Sequence, residues 1–238
     1  MPLPTQFIFP CTNIVLPSPT SAWDPDLGAY QDNGVTPAVA NNDPVELLND
    51  QMGVLPISNT GTTSRPLLQT NAINGHSSLL FGGGNPTVLT NTTALAASMT
   101  WIFAIKQVAW ADFAAIFGGY TDFPVLLQYP TTPTITQYNT TAAPSITPPI
   151  GKWVIVTWQN SSTGGTQLLQ INLNSPATFS QTTISMHAGF EWGYNTFTGG
   201  LGHANFQLGR SEYFNQLLTS PQLGVVVQQM ATYYGLLP

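Results

Sequence analysis

Charged side chains are scarce in this sequence. Four Lys and Arg residues and ten Asp and Glu residues make up 6% of the 238 positions and leave a net charge of -6, whereas an average soluble domain is about 25% charged. Nucleic-acid binding needs a basic surface that neutralises phosphates, so this composition excludes DNA and RNA as partners. So little charge is typical of a surface that neighbouring subunits cover, or of one that binds neutral polar ligands such as sugars.

Cysteine is almost absent, and long apolar runs are missing. Cys11 is the only cysteine, which excludes an internal disulfide and a cysteine-based zinc site. The first residues, MPLPTQFIFPCTNIVLPSP, carry no basic segment, and Pro10 and Pro17 interrupt their apolar runs. No segment has the length needed to cross a bilayer. We therefore expect neither a signal peptide nor a membrane partner.

Glycine and proline are spread along the chain and favour short strands. The 21 Gly and 20 Pro leave no room for long helices over most of the sequence. The run at 99–110 is apolar at nearly every position, which is typical of a central strand buried on both faces. The turn at 160–166 joins two runs of matching length into a hairpin. The runs that predict strands are SSLLF (77–81), MTWIFAIKQVAW (99–110), AAIFGGY (114–120), PVLLQY (124–129), KWVIVTWQN (152–160) and QLLQINLN (167–174).

The C-terminus differs from the rest of the chain. Ser220 is a capping residue type, Pro221 suits the first helical position, and apolar residues then recur at helical spacing. This pattern predicts a helix over about residues 220–234. No shift in composition divides the chain, so we expect one domain over 23–238, preceded by an N-terminal arm of residues 1–22.

Several landmarks follow one another along the chain. They are WDPDLGAYQDNGVTPAVANNDPVELLNDQMG (23–53), SRPLLQTNAINGHSSLLFGGGNPTVL (64–89), the strand MTWIFAIK, FQLGRSEYF (206–214) and a final helix that ends in ATYYGLL. In this order they resemble the laminin-G-like, or concanavalin A-like, domains of bacteriophage structural proteins. The resemblance covers residues 23–237. It implies an all-β jelly-roll sandwich of two antiparallel sheets with a short C-terminal helix.

The sequence departs from that family pattern at two points. Gly82 stands where the family usually has an Asp after the core residue Phe81, so a turn-capping or calcium-contacting carboxylate is absent there. After Phe214 the family usually continues through a strand that carries a Glu, and here Asn215 to Leu218 takes its place. The landmarks that remain are mostly turns and core positions, so they indicate a fold more strongly than an activity.

Paired carboxylates, which many glycan hydrolases use, are missing. In hydrolases of this fold class the acids usually alternate along one strand, whereas Glu46, Glu191 and Glu212 stand far apart in this chain. Glu191 is the one catalytic candidate, because the aromatic residues of GFEWGYNTF surround it. We therefore predict that the chain is not an enzyme.

The aromatic residues around Glu191 form the candidate glycan site. Phe190, Trp192 and Tyr194 alternate in the sequence, and Asn195 follows them. Alternate residues of a strand point to the same side, so the rings form either a stacking platform for a sugar or a part of the core, which aromatic residues of a sandwich usually fill. Both interpretations are open.

The remaining charged residues have two kinds of predicted role. Asp24, Asp26 and Asp32 are candidate calcium ligands at the rim of the fold, and the alternative is that their side chains cap turns. The three histidines are too scattered in the sequence for a metal triad, so no cofactor other than this calcium is expected. Arg65 and Arg210 are predicted to form structural hydrogen bonds to carbonyls or to a carboxylate.

Three hypotheses on function follow. The first is a bacteriophage protein on the virion surface, a capsid decoration or cement protein that binds the major capsid protein or another virion protein by burying area. The second is a tail or fibre adhesin that binds host-surface glycans, with weak sites summed over many copies. The third and least favoured is a glycan hydrolase acting through Glu191. A homo-oligomer is expected, with a trimer at an icosahedral threefold axis as one case.

Overall fold

The strands of this protein form two sheets that share one core. A computed structural model describes residues 14–59, 65–82, 87–119, 125–138, 144–161, 166–180, 189–193 and 202–236. The strands are Ser21–Trp23 (β1), Ala29–Tyr30 (β2), Leu47–Leu48 (β3), Ile57–Ser58 (β4), Leu67–Ile73 (β5), His76–Phe81 (β6), Leu89–Asn91 (β7), Met99–Ala109 (β8), Ala114–Gly119 (β9), Val125–Gln128 (β10), Ile135–Tyr138 (β11), Ser145–Ile146 (β12), Trp153–Asn160 (β13), Thr166–Ile171 (β14), Ala177–Ser180 (β15), Phe190–Trp192 (β16), Gly202–His203 (β17) and Asn205–Phe214 (β18). The helices are Pro25–Gly28 (α1) and Ser220–Tyr233 (α2).

The order of the strands confirms the predicted fold class. In the described part of the chain, an eight-stranded sheet has the order β15-β14-β13-β8-β18-β6-β5, with β1 also paired to β18. A ten-stranded sheet has the order β12-β11-β10-β9-β16-β7-β4-β3-β2, with β17 also paired to β9. All of these pairings are antiparallel except β17 with β9. The chain therefore folds as an antiparallel sandwich with a C-terminal helix.

Strand β8 is buried on both of its faces. Trp101 and Phe103 point into the core between the sheets. Ile102 and Ala104 alternate with them and pack in a second core, between the outer face of the eight-stranded sheet and α2. This explains why the run at 99–110 is apolar without alternation.

Aromatic rings fill the centre of the sandwich. Trp23 stacks on Trp101 with ring centroids 5.2 Å apart and planes 4° from parallel. Phe117 of the ten-stranded sheet meets Trp101 from the other side, at 4.7 Å. Burial of such large apolar surfaces is the main favourable term in folding.

Helix α2 covers part of the outer face of the eight-stranded sheet, and the predicted terminal helix is confirmed. Its cap is Thr219, one residue before the predicted Ser220, and the Thr219 backbone N–H donates to Gln222 Oε1 at 2.9 Å. In the described part of the chain, neither helix has the length and hydropathy needed to span a membrane. The buried side of α2 consists of Leu223, Val226, Val227, Met230 and Ala231.

The last residues of the predicted N-terminal arm contact the domain. Residues 21–23 form β1, and Thr20 N–H donates to the Tyr213 carbonyl at 2.7 Å. The Val15 carbonyl accepts a hydrogen bond from Gln222 Nε2 at 2.8 Å. The backbone before residue 23 therefore already pairs with the domain, and the division into an arm and a domain at residue 22 stays a prediction. Residues 1–13 lie outside the described part of the chain.

Neutral amides take many of the polar positions inside the sandwich. Gln128 Nε2 donates to Gln107 Oε1 at 2.6 Å, and Trp158 Nε1 donates to Gln137 Oε1 at 2.7 Å. All of these side chains are buried. A buried polar group needs a partner, and an amide supplies both a donor and an acceptor without a charge.

Asp50 is a buried carboxylate that holds the chain around β1. The Leu55 carbonyl, next to this carboxylate, accepts a hydrogen bond from Trp23 Nε1 at 2.8 Å. Burial raises the pKa of the Asp50 carboxyl, but its hydrogen bonds from backbone N–H groups outweigh burial and hold the pKa below its ordinary value. These hydrogen bonds come from Ala22, Met52, Val54 and Leu55, at 2.7 to 2.9 Å.

We expect Asp50→Ala to lower the free energy of unfolding by about 3 kcal/mol or more, because four backbone N–H groups lose a charged acceptor. Urea unfolding with linear extrapolation measures this. Asp112→Ala is the control, since Asp112 is exposed, and it should change stability by no more than about 0.5 kcal/mol. Equal losses in the two variants would contradict the role of Asp50.

The lowered pKa also gives the direction of the pH dependence. Asp50 stabilises the fold above its unfolded-state pKa of about 3.9, and this contribution disappears as the pH falls through the lower pKa of the folded state. The stability difference between the wild type and Asp50→Asn should therefore be largest at about pH 6 and narrow below about pH 4.

Candidate functional site

Two of the rings predicted to form a glycan platform lie in the core. Phe190 and Trp192 belong to β16 and are 0% exposed. Their ring centroids lie 5.0 and 6.0 Å from that of Trp101. The platform interpretation is wrong for these two residues, because both rings face the eight-stranded sheet and belong to the core, as in the alternative interpretation. Tyr194 and Asn195 lie outside the described residues.

Two glycines allow β16 to pack this closely against its neighbours. Gly189 and Gly193, on either side of the strand, have φ angles of +99° and +85°, which glycine adopts without the strain of a side chain. A Cβ atom would lie 1.9 Å from the Asn91 carbonyl oxygen at Gly189, and 2.2 Å from the Thr87 carbonyl oxygen at Gly193. The neighbouring backbone therefore approaches β16 too closely for any other residue type at these two positions.

The aspartates predicted to bind calcium act as hydrogen-bond acceptors. Asp24 Oδ1 accepts from Asp26 N–H at 3.0 Å, at the start of α1. Asp32 accepts from Val35 N–H at 2.9 Å and from Thr36 N–H at 2.8 Å. In the described ranges, no three His, Cys, Asp or Glu side chains are grouped so that they could hold a metal ion. The three aspartates therefore do not assemble a calcium site, and they cap turns as in the alternative interpretation.

Asp24 and Asp26 also hold the end of helix α2. Tyr233 Oη donates to Asp24 Oδ2 at 3.0 Å and to Asp26 Oδ2 at 3.2 Å. His76 Nδ1 lies 2.8 Å from Asp26 Oδ2, and Ser77 N–H donates to Asp26 Oδ1 at 2.7 Å. Burial and the two carboxylates raise the pKa of Tyr233. Its hydroxyl therefore stays protonated and donates the hydrogen bond. We call Asp24, Asp26, His76 and Tyr233 the latch, because they connect α1, β6 and α2.

Arg210 lies beside the latch and pairs with Glu212. The Arg210 Nε–H donates to Glu212 Oε1 at 2.9 Å, and the Arg210 Nη1 lies 4.0 Å from Asp24 Oδ2. Burial raises the pKa of Glu212, although the Arg210 charge opposes this. A cleft of about 190 Å³ opens here between β18 and α2. The guanidinium already binds carboxylates, which is the arrangement of a structural ion pair.

Arg65 and Phe81, the other two residues predicted to be structural, have different surroundings. Arg65 forms an ion pair with Glu46, and its Nη1 donates to the Gln31 carbonyl at 2.7 Å. Phe81 is fully buried and stacks on Phe206 with ring centroids 4.7 Å apart. Arg65 thus connects loops at the rim of the ten-stranded sheet, whereas Phe81 belongs to the core.

Three other aromatic rings gather on the outer face of the ten-stranded sheet. Phe113 precedes β9, Tyr129 follows β10, and Tyr138 ends β11. The Phe113 ring centroid lies 4.5 Å from that of Tyr129 and 6.4 Å from that of Tyr138. All three side chains are partly exposed, and we call them the aromatic platform. The rings pack on a buried layer of Ala115, Val125 and Leu127.

The backbone at Phe113 is strained. Its φ angle is +55°, a value that is uncommon for any residue other than glycine and costs on the order of 1–3 kcal/mol. The buried side chain of Gln128 hydrogen-bonds to the backbone just before Phe113. Its Oε1 accepts from Ala111 N–H at 3.1 Å, and its Nε2 donates to the Ala109 carbonyl at 2.9 Å. The fold thus maintains an unfavourable backbone conformation that brings the Phe113 ring to the two tyrosines.

The strands beneath the platform are uncharged. Strands β9 to β12 contain no Asp, Glu, Lys or Arg. Thr136 is the register partner of Leu127 and of Ser145, so its side chain lies on the same face as the platform. Thr136 Oγ1 lies 2.8 Å from Ser145 Oγ, and Ser145 is exposed. This face therefore offers aromatic rings and the Ser145 hydroxyl to a ligand, whereas the Thr136 hydroxyl is buried and donates to the Tyr129 carbonyl.

Sequence reasoning missed the platform. Phe113, Tyr129 and Tyr138 belong to three different strand ends, and no local pattern connects them. Their position at strand ends is not a usable signal, because Phe81, Trp192 and Phe214 also end strands and are buried.

No protein-family model matches this sequence, and no curated protein matches it. Solved structures share the fold. A Trypanosoma rangeli sialidase in complex with 2,3-difluorosialic acid matches 91% of this chain, with a TM-score of 0.62 and 10% identity. The receptor-binding domain of botulinum neurotoxin type G matches 90%, with a TM-score of 0.58 and 11% identity. Botulinum neurotoxin type C, described as dependent on two ganglioside molecules for entering cells, matches 86%, with a TM-score of 0.53 and 15% identity.

This chain is shorter than the proteins that it matches. It spans 34% of the sialidase, 52% of the type G chain and 50% of the type C chain. At these identities the likeness shows the fold alone. These structures come from a trypanosome and from neurotoxins, so the resemblance to bacteriophage proteins stays a prediction.

The prediction that the chain is not an enzyme is contradicted by the comparison. The solved structures that share its fold include sialidases, which hydrolyse glycans. The prediction rested on the lack of paired carboxylates, and sialidases are hydrolases that do not follow the two-carboxylate scheme. Glu191, the candidate named from the sequence, is 2% exposed within β16. The likeness itself assigns no activity to this chain, since it shows only the fold.

We expect Tyr233→Phe to lower the free energy of unfolding by about 1–2 kcal/mol, because the latch loses its hydroxyl donor to two carboxylates. Chemical unfolding measures the loss, and hydrogen exchange should show faster opening of α2. The matched control is Tyr30→Phe, which removes a hydroxyl at the far edge of the ten-stranded sheet and should change stability by no more than about 0.5 kcal/mol. If α2 exchanges equally in both variants, the latch does not hold the helix.

Proposed function

We propose that this protein is a carbohydrate-binding module and that the aromatic platform is its binding surface. The observation that carries the proposal is the convergence of Phe113, Tyr129 and Tyr138, three partly exposed rings from three strand ends, over strands that contain no charged residue. A strained backbone conformation at Phe113 supports it further, since such strain concentrates at functional sites.

The chemistry of the platform suits a sugar ring. One side of a pyranose presents C–H groups, and these pack on the negatively charged face of an aromatic ring. The sugar hydroxyls then need polar partners, and the exposed Ser145 hydroxyl beside the rings supplies one. The rings are held on the apolar layer beneath them, so little conformational entropy is lost on binding.

The surroundings of the platform favour a neutral glycan. Strands β9 to β12 have no cation that would pair with a carboxylate or a sulfate. Among the proteins that share the fold, one is a receptor-binding domain and another is described as interacting with gangliosides. These names support glycan binding as a use of this fold, while the neutral class is argued from the residues of this chain.

We expect Tyr129→Ala to weaken binding of a neutral glycan at least about tenfold, which corresponds to about 1.4 kcal/mol, because Tyr129 is the ring closest to Phe113. The ligand is first selected on an array of neutral and acidic glycans, and its affinity is then measured by isothermal titration calorimetry. Reducing sugar released in the same samples is recorded, since hydrolases share the fold.

The control for this experiment is Tyr30→Ala. Tyr30 is also a partly exposed tyrosine of the ten-stranded sheet, but it lies on β2, at the edge opposite to the platform strands. Its replacement should leave the affinity unchanged. The proposal is wrong if no neutral glycan binds on the array, or if the two variants lose affinity equally while both remain folded.

We also propose that the module is displayed on a bacteriophage particle, as a decoration or cement protein or as part of a tail or fibre. The sequence landmarks at 23–53 and 206–214 support this, together with the low charge. Large apolar side chains exposed in the segment from residue 27 to 54 offer surface that neighbouring subunits would bury. They are Leu27, Val35, Val39, Met52 and Val54. Many copies on one particle would bind a glycan surface with high avidity, although each single contact is weak.

Virion display predicts that the chain sediments with intact particles in a density gradient and gives a fixed copy number by quantitative mass spectrometry. Placement in an image of the particle then separates capsid from tail. Light scattering on the purified chain measures its oligomeric state, for which a trimer is the expected case at a threefold axis. Particles that lack the chain would overturn this part of the proposal and leave glycan binding untouched.

A further inference from the structure

Strand β12 is the edge of the ten-stranded sheet on the side of the aromatic platform. In the register of the strands, Leu127 is the partner of Thr136, and Thr136 is the partner of Ser145. Partners across neighbouring strands share one face of a sheet, so Ser145 ends a row that begins beneath the rings. Neighbouring strands lie about 4.8 Å apart, and about 10 Å therefore separate β10 from β12.

A polar cleft opens beside Ser145. It has a volume of about 210 Å³ and lies between β12 and the turn that joins β14 to β15. Its polar side chains belong to Ser145, Thr147, Asn174 and Ser175, and all four residues are exposed. Ile171 adds apolar surface, and none of the described residues that line the cleft is charged.

Ser145 belongs to both the platform face and the cleft. Its Oγ lies 2.8 Å from Thr136 Oγ1, which donates to the Tyr129 carbonyl at 2.5 Å. The Tyr129 backbone and the Ser145 hydroxyl are thus connected through one threonine, and the same serine lines the cleft. The rings and the cleft are therefore parts of one continuous surface, which crosses the strands from β10 to the edge of the sheet.

The lining of the cleft suits the hydroxyl groups of a neutral sugar. Serine and threonine hydroxyls and the asparagine amide each offer donors and acceptors without a charge, and the volume of the cleft admits one hexose unit. Each hexose unit adds about one strand spacing to the length of a glycan chain. A single sugar that stacks on the rings is too short to reach the cleft, whereas a chain that crosses two strand spacings fills both places.

We propose that the cleft is a second subsite of the glycan site and that the ligand is a linear neutral oligosaccharide of at least three units. One unit packs on the aromatic platform, the next crosses Ser145, and the third enters the cleft, where Asn174 and Ser175 bind its hydroxyl groups. This inference rests on the proposed function and adds the length of the ligand. A chain that makes both contacts gains affinity, because the first contact holds the second unit at high effective concentration.

The test uses the full chain with malto-, cello- and chito-oligosaccharides, each from the disaccharide to the pentasaccharide. Calorimetry measures the affinity for every member of the three series. In at least one series, we expect the tetrasaccharide to bind at least about tenfold more tightly than the disaccharide, because only the longer chain reaches the cleft. This comparison is made on the wild type and needs no variant to fold.

Variants of the cleft then locate the gain in affinity. Asn174→Ala should weaken tetrasaccharide binding at least about fivefold, the order expected for one lost hydrogen bond, and should leave disaccharide binding unchanged. Ser175→Trp fills the cleft and should remove the gain from chain length. The matched control is Asn33→Ala, which changes an exposed asparagine beyond β2, at the opposite edge of the same sheet, and it should leave both affinities unchanged.

The outcomes separate this inference from the proposed function. The inference is overturned if the disaccharide and the tetrasaccharide bind equally in every series that binds, or if Asn174→Ala and Asn33→Ala have the same affinities. It is also overturned if none of the three series binds. In each of these cases, glycan binding at the platform still stands if a neutral glycan binds on the array and Tyr129→Ala weakens that binding.

Discussion

Burial of strand β8 on both faces is the constraint on which the rest of the structure depends. Trp101 and Phe103 on one face require an opposing sheet, and Ile102 and Ala104 on the other require a cover, which α2 supplies. A strand of this composition is stable only with partners on both sides, because exposed apolar surface opposes folding. Strand β8 thus contributes to both cores. The C-terminal helix is an integral part of the fold, because it covers the second core.

The few charged residues are used mainly to fix loops and ends. Asp50 gathers backbone N–H groups around β1, Arg65 joins two loops through Glu46, and Asp24 and Asp26 hold the end of α2. Inside the sandwich, neutral amides satisfy one another instead of ion pairs, which avoids the cost of burying charge. This distribution leaves β9 to β12 uncharged. The platform is therefore neutral because the chain has few charged residues and places them at loops and strand ends.

The proposed glycan site follows from the composition of one face. The outer face of the ten-stranded sheet has aromatic rings and the exposed Ser145 hydroxyl, and strands β9 to β12 add no charged residue. The site therefore suits a neutral sugar. Such a ligand would gain from every copy of the module on a multivalent surface.

The sequence alone determined the many short strands, the doubly buried strand at 99–110 and the helix near the C-terminus, because each follows from the local spacing of apolar residues, glycines and prolines. The two-sheet architecture was implied by the family resemblance. Only the tertiary structure decided which rings are exposed. From the sequence Trp192 is either a surface ring or a core ring, and in the structure it packs on Trp101 of the other sheet. Phe113 and Tyr129 instead meet across different strands on the outer face. Spacing along the chain sets the side to which a ring points. What lies against that side depends on strand order, which long-range contacts determine and no local pattern encodes.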